Sequence, residues 1–229
     1  MFAKLLTKFH NIIMGLKGEP RAEVRKLILT NAAKEDLPEI VDVLREGWKA
    51  YADKSLGITE QDIGAIDFGS DKRMQEWREV IESNGEKGSI RVIREFLKDE
   101  KKFKIVGFSY TKKRPEKDSD ELNSIYLRSS LQGEKWGNLL IQEVLTLFAN
   151  GRPVSLMVFE HNPGAIAFYE RLGFKKTGHT EEFTWGDGKK MCAVEMGREP
   201  QQKEADILRR MELMPDVISG EMKSLMKDK

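Results

Sequence analysis

Residues 121–138 read Glu121-Leu122-Asn123-Ser124-Ile125-Tyr126-Leu127-Arg128-Ser129-Ser130-Leu131-Gln132-Gly133-Glu134-Lys135-Trp136-Gly137-Asn138. Leu122 to Leu127 predicts a strand, a glycine-bearing turn follows, and from about Glu134 to Asn150 the residues Leu139, Leu140, Val144, Leu147 and Phe148 recur at helical spacing. A helix N-terminus carries about half a positive charge and several unpaired backbone N–H groups, so a turn leading from a strand into a helix can cradle a diphosphate. Two glycines in such a turn are a weak signal alone, because an ordinary strand-to-helix connection reads the same way.

Working outward, a strand is expected at Lys26–Thr30. A helix follows, with Asp36 as N-cap candidate, Pro38 in its first turn and Ile40, Val41, Leu44, Trp48 and Tyr51 along one stripe. A second helix is expected from Asp71 to Glu82. Residues 55–70, with Gly57, Gly64 and Gly69, read as a mobile connection. Strands are expected at 89–96, 103–111 and 122–127, then after the long helix at Val154–Phe159. A short helix over Pro163–Leu172 precedes two closing strands near Thr180–Trp185 and Met191–Met196, turned at Gly186-Asp187-Gly188. The order is β-α-α-β-β-β-α-β-α-β-β, an α/β (α+β) chain without internal repeats.

Composition narrows the functional classes. The chain has 229 residues, 39% hydrophobic and 34% charged, so it can bury a core and is not globally disordered. Its 39 Lys and Arg balance 38 Asp and Glu, leaving a net charge of +1 and no global pull towards nucleic acid. The basic turn Lys112–Lys117 has no aromatic residue for stacking on bases, so nucleic acid is not expected as a partner. One cysteine, Cys192, excludes a disulfide framework, and His10, His161 and His179 are too scattered for a metal site. Cys192 reads as a small buried hydrophobe. No spanning segment is apparent, and a cytoplasmic location is expected.

The two ends differ from the middle. Residues 1–22 carry an amphipathic, basic helical pattern through Phe2, Leu5, Leu6, Phe9, Ile12, Ile13 and Leu16, which is expected to pack on protein, its own domain or a second subunit. Contact of residues 1–18 with a membrane surface is the less favoured alternative. Residues 199–229 are expected to add one or two helices, and a homodimer through the terminal helices is one expectation.

The segment from Ile125 to Gly137 resembles the acetyl-CoA signature of the GNAT family of N-acetyltransferases, Gln/Arg-x-x-Gly-x-Gly/Ala. Gln132 and Gly137 match its ends, while Lys135 replaces the central glycine and adds a side chain where the diphosphate should approach. Downstream, Asn162-Pro163-Gly164-Ala165-Ile166-Ala167-Phe168-Tyr169-Glu170-Arg171-Leu172-Gly173-Phe174 resembles the family's second signature, Asn-x-x-Ala-x-x-Phe-Tyr-x-x-x-Gly-Phe, at every named position. The likeness covers about residues 25–198 and implies a domain over 23–198 with a mixed central sheet of about six to seven strands and helices on both faces.

It also implies acetyl-CoA as cosubstrate, no metal, and direct acetyl transfer to a primary amine on a small molecule, a polyamine or a peptide. An alternative is an acyl-CoA-binding module with little or no transfer activity. The acceptor amine is protonated at neutral pH and needs a base or a water chain. Glu121 is the candidate, at the offset from Gln132 where histone-directed members carry theirs; an exposed carboxylate is the plain alternative. Tyr169 matches the family's tyrosine acid for the leaving thiolate, and the Leu127 N–H is the expected oxyanion donor. Coenzyme binding is expected from Ile125, Tyr126, Leu127, Gln132, Gly133, Glu134, Lys135, Trp136, Gly137, Asn138, Asn162, Phe168 and Tyr169. Trp48, Tyr51 and Trp77 are expected in the acceptor cleft, with helical core packing an equally good account of the tryptophans.

Overall fold

The computed structural model describes residues 27–49, 51, 58–131, 136–145, 151–184 and 190–201. Along them run β1 (Leu27–Asn31), α1 (Leu37–Lys49), α2 (Glu60–Gly64), α3 (Asp71–Glu82), β2 (Gly88–Leu97), β3 (Lys102–Lys112) and β4 (Asp120–Leu127). Then come α4 (Trp136–Glu143), β5 (Val154–Phe159), α5 (Pro163–Arg171), β6 (Lys175–Thr184) and β7 (Lys190–Arg198). The strands form one seven-stranded sheet in the order β1-β2-β3-β4-β5-β7-β6. Every pairing is antiparallel except β4 with β5, so the sheet is mixed, as expected. The helical pattern of residues 1–22 and nearly all of 199–229 lie outside the described residues.

Each sheet face buries its own core. On one, Leu37, Ile40, Val43 and Leu44 of α1, Ile63 of α2 and Trp77 and Val80 of α3 pack on Val92, Ile105 and Phe108. These positions recur every three or four residues, which is why the segments form helices with one apolar stripe. On the other, Ile141 of α4 and Tyr169 of α5 cover Leu122, Leu156 and Val158. Burying an aromatic such as Phe108, at 0% exposure, stabilises the fold by about 2–3 kcal/mol.

Two β-bulges decide which residues share a face. The β2–β3 register steps from Ile93↔Gly107 to Arg94↔Ile105, leaving Val106 as the extra residue. The β3–β4 register steps from Tyr110↔Ser124 to Thr111↔Leu122, leaving Asn123 unmatched. A bulge resets the two-residue alternation. Leu122 and Ile125 therefore both face α4 and α5, while Glu121, Ser124 and Tyr126 face α1.

Three expectations need correction. The connection over 55–70 contains α2, started by a capping box: Asp62 N–H donates to Thr59 Oγ1 at 3.1 Å and Thr59 N–H to Asp62 Oδ2 at 2.7 Å. Ile58, Ile63 and Phe68 anchor this segment at 2% exposure or less. Asp36 does not spend its side chain capping α1; it accepts Ala33 N–H at 2.7 Å and holds Arg94 of β2 at 2.5 Å. Strand β6 begins at Lys175, five residues early, because an edge strand exposed on both faces has no apolar alternation to read.

Candidate active site

Strands β4 and β5 pair only at Asp120↔Val154 and Glu121↔Ser155. Both continue, to Leu127 and Phe159, without pairing again, so the sheet opens into a wedge between them. On its other edge β4 stays paired to β3 as far as Gly107↔Leu127. Arg128 N–H donates to Val106 O at 2.8 Å. In an antiparallel ladder the hydrogen-bonding direction alternates, which turns the N–H groups of Leu127 and Ile125 away from β3 and into the wedge. Main-chain donors aimed at a gap in a sheet are positioned to meet a polar ligand there.

Elements from the two faces meet at the open end. Tyr126 stacks on Phe108 with centroids 5.8 Å apart and lies flat against α1 at Gly47, where an added Cβ would fall 2.3 Å from its Cδ1. Its hydroxyl is near the Trp48 indole and the Tyr51 hydroxyl, both of which act on its protonation. Tyr51 packs on Trp48 and on Phe159 of β5, at 5.4 and 5.2 Å, and also accepts a long hydrogen bond of 3.5 Å from Asn162 Nδ2. Tyr169, 9% exposed, is wedged between Phe168 and Phe174. Burial raises the pKa of all three phenols, with the neighbouring Tyr51 adding to the effect at Tyr126 and Tyr169. They stay protonated at neutral pH.

Helix α5 is set in place by its ends. Asn162 caps it, Oδ1 accepting Ala165 N–H at 3.0 Å, and Pro163 occupies the first helical position where no N–H is needed. Gly173, at φ +89°, takes the left-handed turn that lets Phe174 N–H close on Tyr169 O at 3.1 Å. At the start of α4, the place of a Cβ on Gly137 lies 3.7 Å from Leu127 and 3.8 Å from Phe168, so both helices converge on the end of β4. Trp136 packs beside Leu127, Ile125 is half-buried in both clusters on this face, and Asn138 is exposed. Gln132, Gly133, Glu134 and Lys135 lie outside the described residues.

One site residue has no signature in the sequence. Glu46 of α1 accepts Ser129 N–H at 3.0 Å, Ser129 Oγ at 3.2 Å and Arg128 Nη1 at 2.7 Å, while Arg128 Nε donates to Ile105 O at 2.9 Å. Burial pushes the Glu46 carboxyl upward, but these donors outweigh it and its pKa is lowered. The carboxylate fixes the chain where it leaves β4 for the turn before α4. Glu46 and Ser129 stand 83 positions apart, beyond any local pattern.

A family model described as an acetyltransferase (GNAT) domain matches residues 59–193, more than half of the chain. The chain belongs to the GNAT acetyltransferase family. Solved structures share the fold at low identity. The PaiA N-acetyltransferase of Thermoplasma acidophilum, in complex with coenzyme A, is 20% identical with a TM-score of 0.56, over 76% of this chain and 98% of that one. The ribosomal-protein-S18-alanine N-acetyltransferase of Escherichia coli is 18% identical, TM-score 0.54, over 77% and 95%. A chimeric spermidine N-acetyltransferase from Vibrio cholerae is 19% identical, TM-score 0.52, over 76% and 95%.

Within this GNAT domain the expected residues separate into two groups. Leu127, Tyr126, Tyr51, Trp48, Asn162, Phe168 and Tyr169 come together at the open end of the wedge. Glu121 does not join them: it sits at the closed end, roughly 15 Å down the strand from Tyr126. There it accepts Asn123 Nδ2 at 2.9 Å and faces Arg114 Nη1 at 3.7 Å. It lines a cavity of about 440 Å³ on the α1 side of the sheet, together with Ser155, Met157, His179, Glu181 and Glu195. Trp77 is core: 2% exposed, its ring lies 6.0 Å from Phe108 and 5.9 Å from Tyr110. Among the described residues no group of three or more His, Cys, Asp or Glu could hold a metal, and no helix is long and apolar enough to cross a membrane.

Proposed function

We propose that the protein is an acetyl-CoA-dependent N-acetyltransferase that moves an acetyl group directly to a primary amine. The observation that carries the reading is the limitation of β4–β5 pairing to two residue pairs, which leaves the Leu127 N–H directed into an open wedge beside Tyr169. The family membership and the coenzyme A complex of the Thermoplasma relative support the same cosubstrate. A cytoplasmic location would suit this reaction.

The amine nitrogen forms a bond to the thioester carbonyl carbon, the carbon–sulfur bond breaks, and the nitrogen gives up its proton. The Leu127 N–H donates to the carbonyl oxygen as negative charge develops on it. Burial raises the Tyr169 pKa and so keeps its hydroxyl protonated, and that hydroxyl donates a hydrogen bond to the departing sulfur as negative charge develops on it. Asn162 and Tyr51 orient groups at the mouth of the wedge. Glu121 is too distant for direct proton removal, so the nitrogen's proton leaves through water in the cavity.

Release of free thiol from acetyl-CoA on adding a panel of amines tests the reaction. Tyr169→Phe is expected to lower kcat by roughly a hundredfold while coenzyme affinity, measured by calorimetry, holds. An unchanged kcat removes Tyr169 as the donor to the departing sulfur.

A further inference from the structure

The segment that leads into the phosphate signature is held by side chains of α1 as well as by the sheet. Residues 132–135 join Leu131 to Trp136, and those two ends pack in one cluster with Ile93 of β2 and Leu140 of α4, Leu131 at 0% exposure. Main-chain N–H groups grip a diphosphate only while they share a common aim, so a connection this short depends on where its ends are fixed. The downstream end is the start of a helix. The upstream end, Ser129–Leu131, is a single 3-10 turn, closed by Leu131 N–H donating to Arg128 O at 3.0 Å.

Two carboxylates of α1, seven residues apart and therefore on one face of the helix, meet this end of the sheet. Glu39 accepts Ile105 N–H at 3.0 Å, beside the bulge of β3. Successive carbonyls of a regular strand point opposite ways, but at the bulge Ile105 O and Val106 O both accept from Arg128, through Nε at 2.9 Å and N–H at 2.8 Å. Glu46 takes three further donors: Arg128 Nη1, Ser129 N–H and Ser129 Oγ. One residue on, Gly47 lies against the Tyr126 ring, so the last turn of α1 grips both ends of residues 126–129. The Glu46 side chain is 33% exposed, and an ion pair so placed adds little to stability.

We infer that Glu46 is a positioning residue for the coenzyme: its carboxylate holds Arg128 and Ser129 so that the N–H groups of the turn that follows are aimed before the diphosphate arrives. Ordering the turn in advance lowers the cost of binding. Because the same helical turn also touches Tyr126, it ties the coenzyme site to the aromatic side of the wedge. This rests on the transferase reading and adds to it a residue that acts through Arg128 and Ser129.

The test is calorimetric binding of CoA to Glu46→Ala and Glu46→Gln, with urea unfolding and hydrogen exchange alongside. Affinity is expected to fall about tenfold in Glu46→Ala, and less in Glu46→Gln, which still accepts from Ser129. The KM for acetyl-CoA rises in step while kcat at saturation holds, and the urea midpoint stays near that of the wild type. CoA slows amide exchange in the last turn of α1 in the wild type and not in Glu46→Ala. Asp42→Asn is the control: it removes an exposed pair with Arg45 one turn earlier on the same helix and leaves affinity, KM and exchange as they were. With CoA bound by the wild type, equal affinity in both variants overturns the inference alone. So does a loss of affinity matched by a fall in the urea midpoint, or a lower kcat with KM unaltered. Wild-type protein that binds no CoA fails the transferase reading itself, and this inference with it.

Discussion

Gly47 carries a constraint out of proportion to its size. A glycine inside α1 costs roughly 1 kcal/mol relative to alanine, yet it occupies the helix face on which the Tyr126 ring lies. Gly47→Ala restores helix propensity but drives a methyl into that ring, which is held on its other side by Phe108. The expected result is a net loss of about 1–2 kcal/mol in denaturant unfolding, with a lower kcat as Tyr126 and Tyr51 shift. A gain in stability with unchanged turnover would show that the ring moves freely.

At the scale of elements, the wedge is a balance between parting and pinning. Only two residue pairs join β4 to β5, so the closed end relies on side chains as well. Asp120, 1% exposed, receives Lys113 Nζ at 2.7 Å and Arg114 N–H at 3.2 Å, with Arg152 Nε 3.3 Å away. These tie the turn before β4 to the start of β5. Asp120→Asn leaves the cations without their counter-charge, and a loss of about 2–3 kcal/mol is expected in urea unfolding. That is less than the ~3–5 kcal/mol for a fully buried pair, because Lys113 and Arg152 are 25% and 41% exposed. Faster amide exchange along β4 and β5 should accompany it, and a change confined to other strands would detach Asp120 from the wedge.

Over the whole molecule, the four tyrosines share one electrostatic condition. Burial raises the pKa of Tyr51, Tyr110, Tyr126 and Tyr169, with Glu76 adding to the effect at Tyr110. In the unfolded chain each phenol ionises near pH ~10. A raised native pKa means the folded state holds its protons more tightly, so this stability is complete below about pH 10 and is lost as pH rises above it. Phenolate absorbance should therefore appear together with unfolding, as one cooperative step. Separate titration of even three tyrosines in a still-folded protein would contradict this.

Much of this molecule is legible in local pattern. The helices α1 and α3 and the strands other than β6 follow from spacing along the chain, because a periodic apolar stripe has one way to be buried, and the two signatures at Gln132–Gly137 and Asn162–Phe174 are legible as a family resemblance. The α2 capping box was also local, written in Thr59 and Asp62 and hidden by glycines on either side. Other features are absent from any window of sequence. The bulges at Val106 and Asn123 exist only as a mismatch between paired strands, and they decide that Glu121 and Tyr126 share a face. Glu46 reaches Ser129, and Asn162 reaches Tyr51, only because the sheet brings distant segments side by side. Sequence alone determined the kind of domain, through its resemblance to the two family signatures, and placed Asn162 as the cap of α5, since a motif and a cap are written in neighbouring residues. Tertiary structure decided which residues meet at the wedge and which, like Glu121 and Trp77, are carried elsewhere, because strand register and the parting of β4 from β5 are properties of paired chains and not of one.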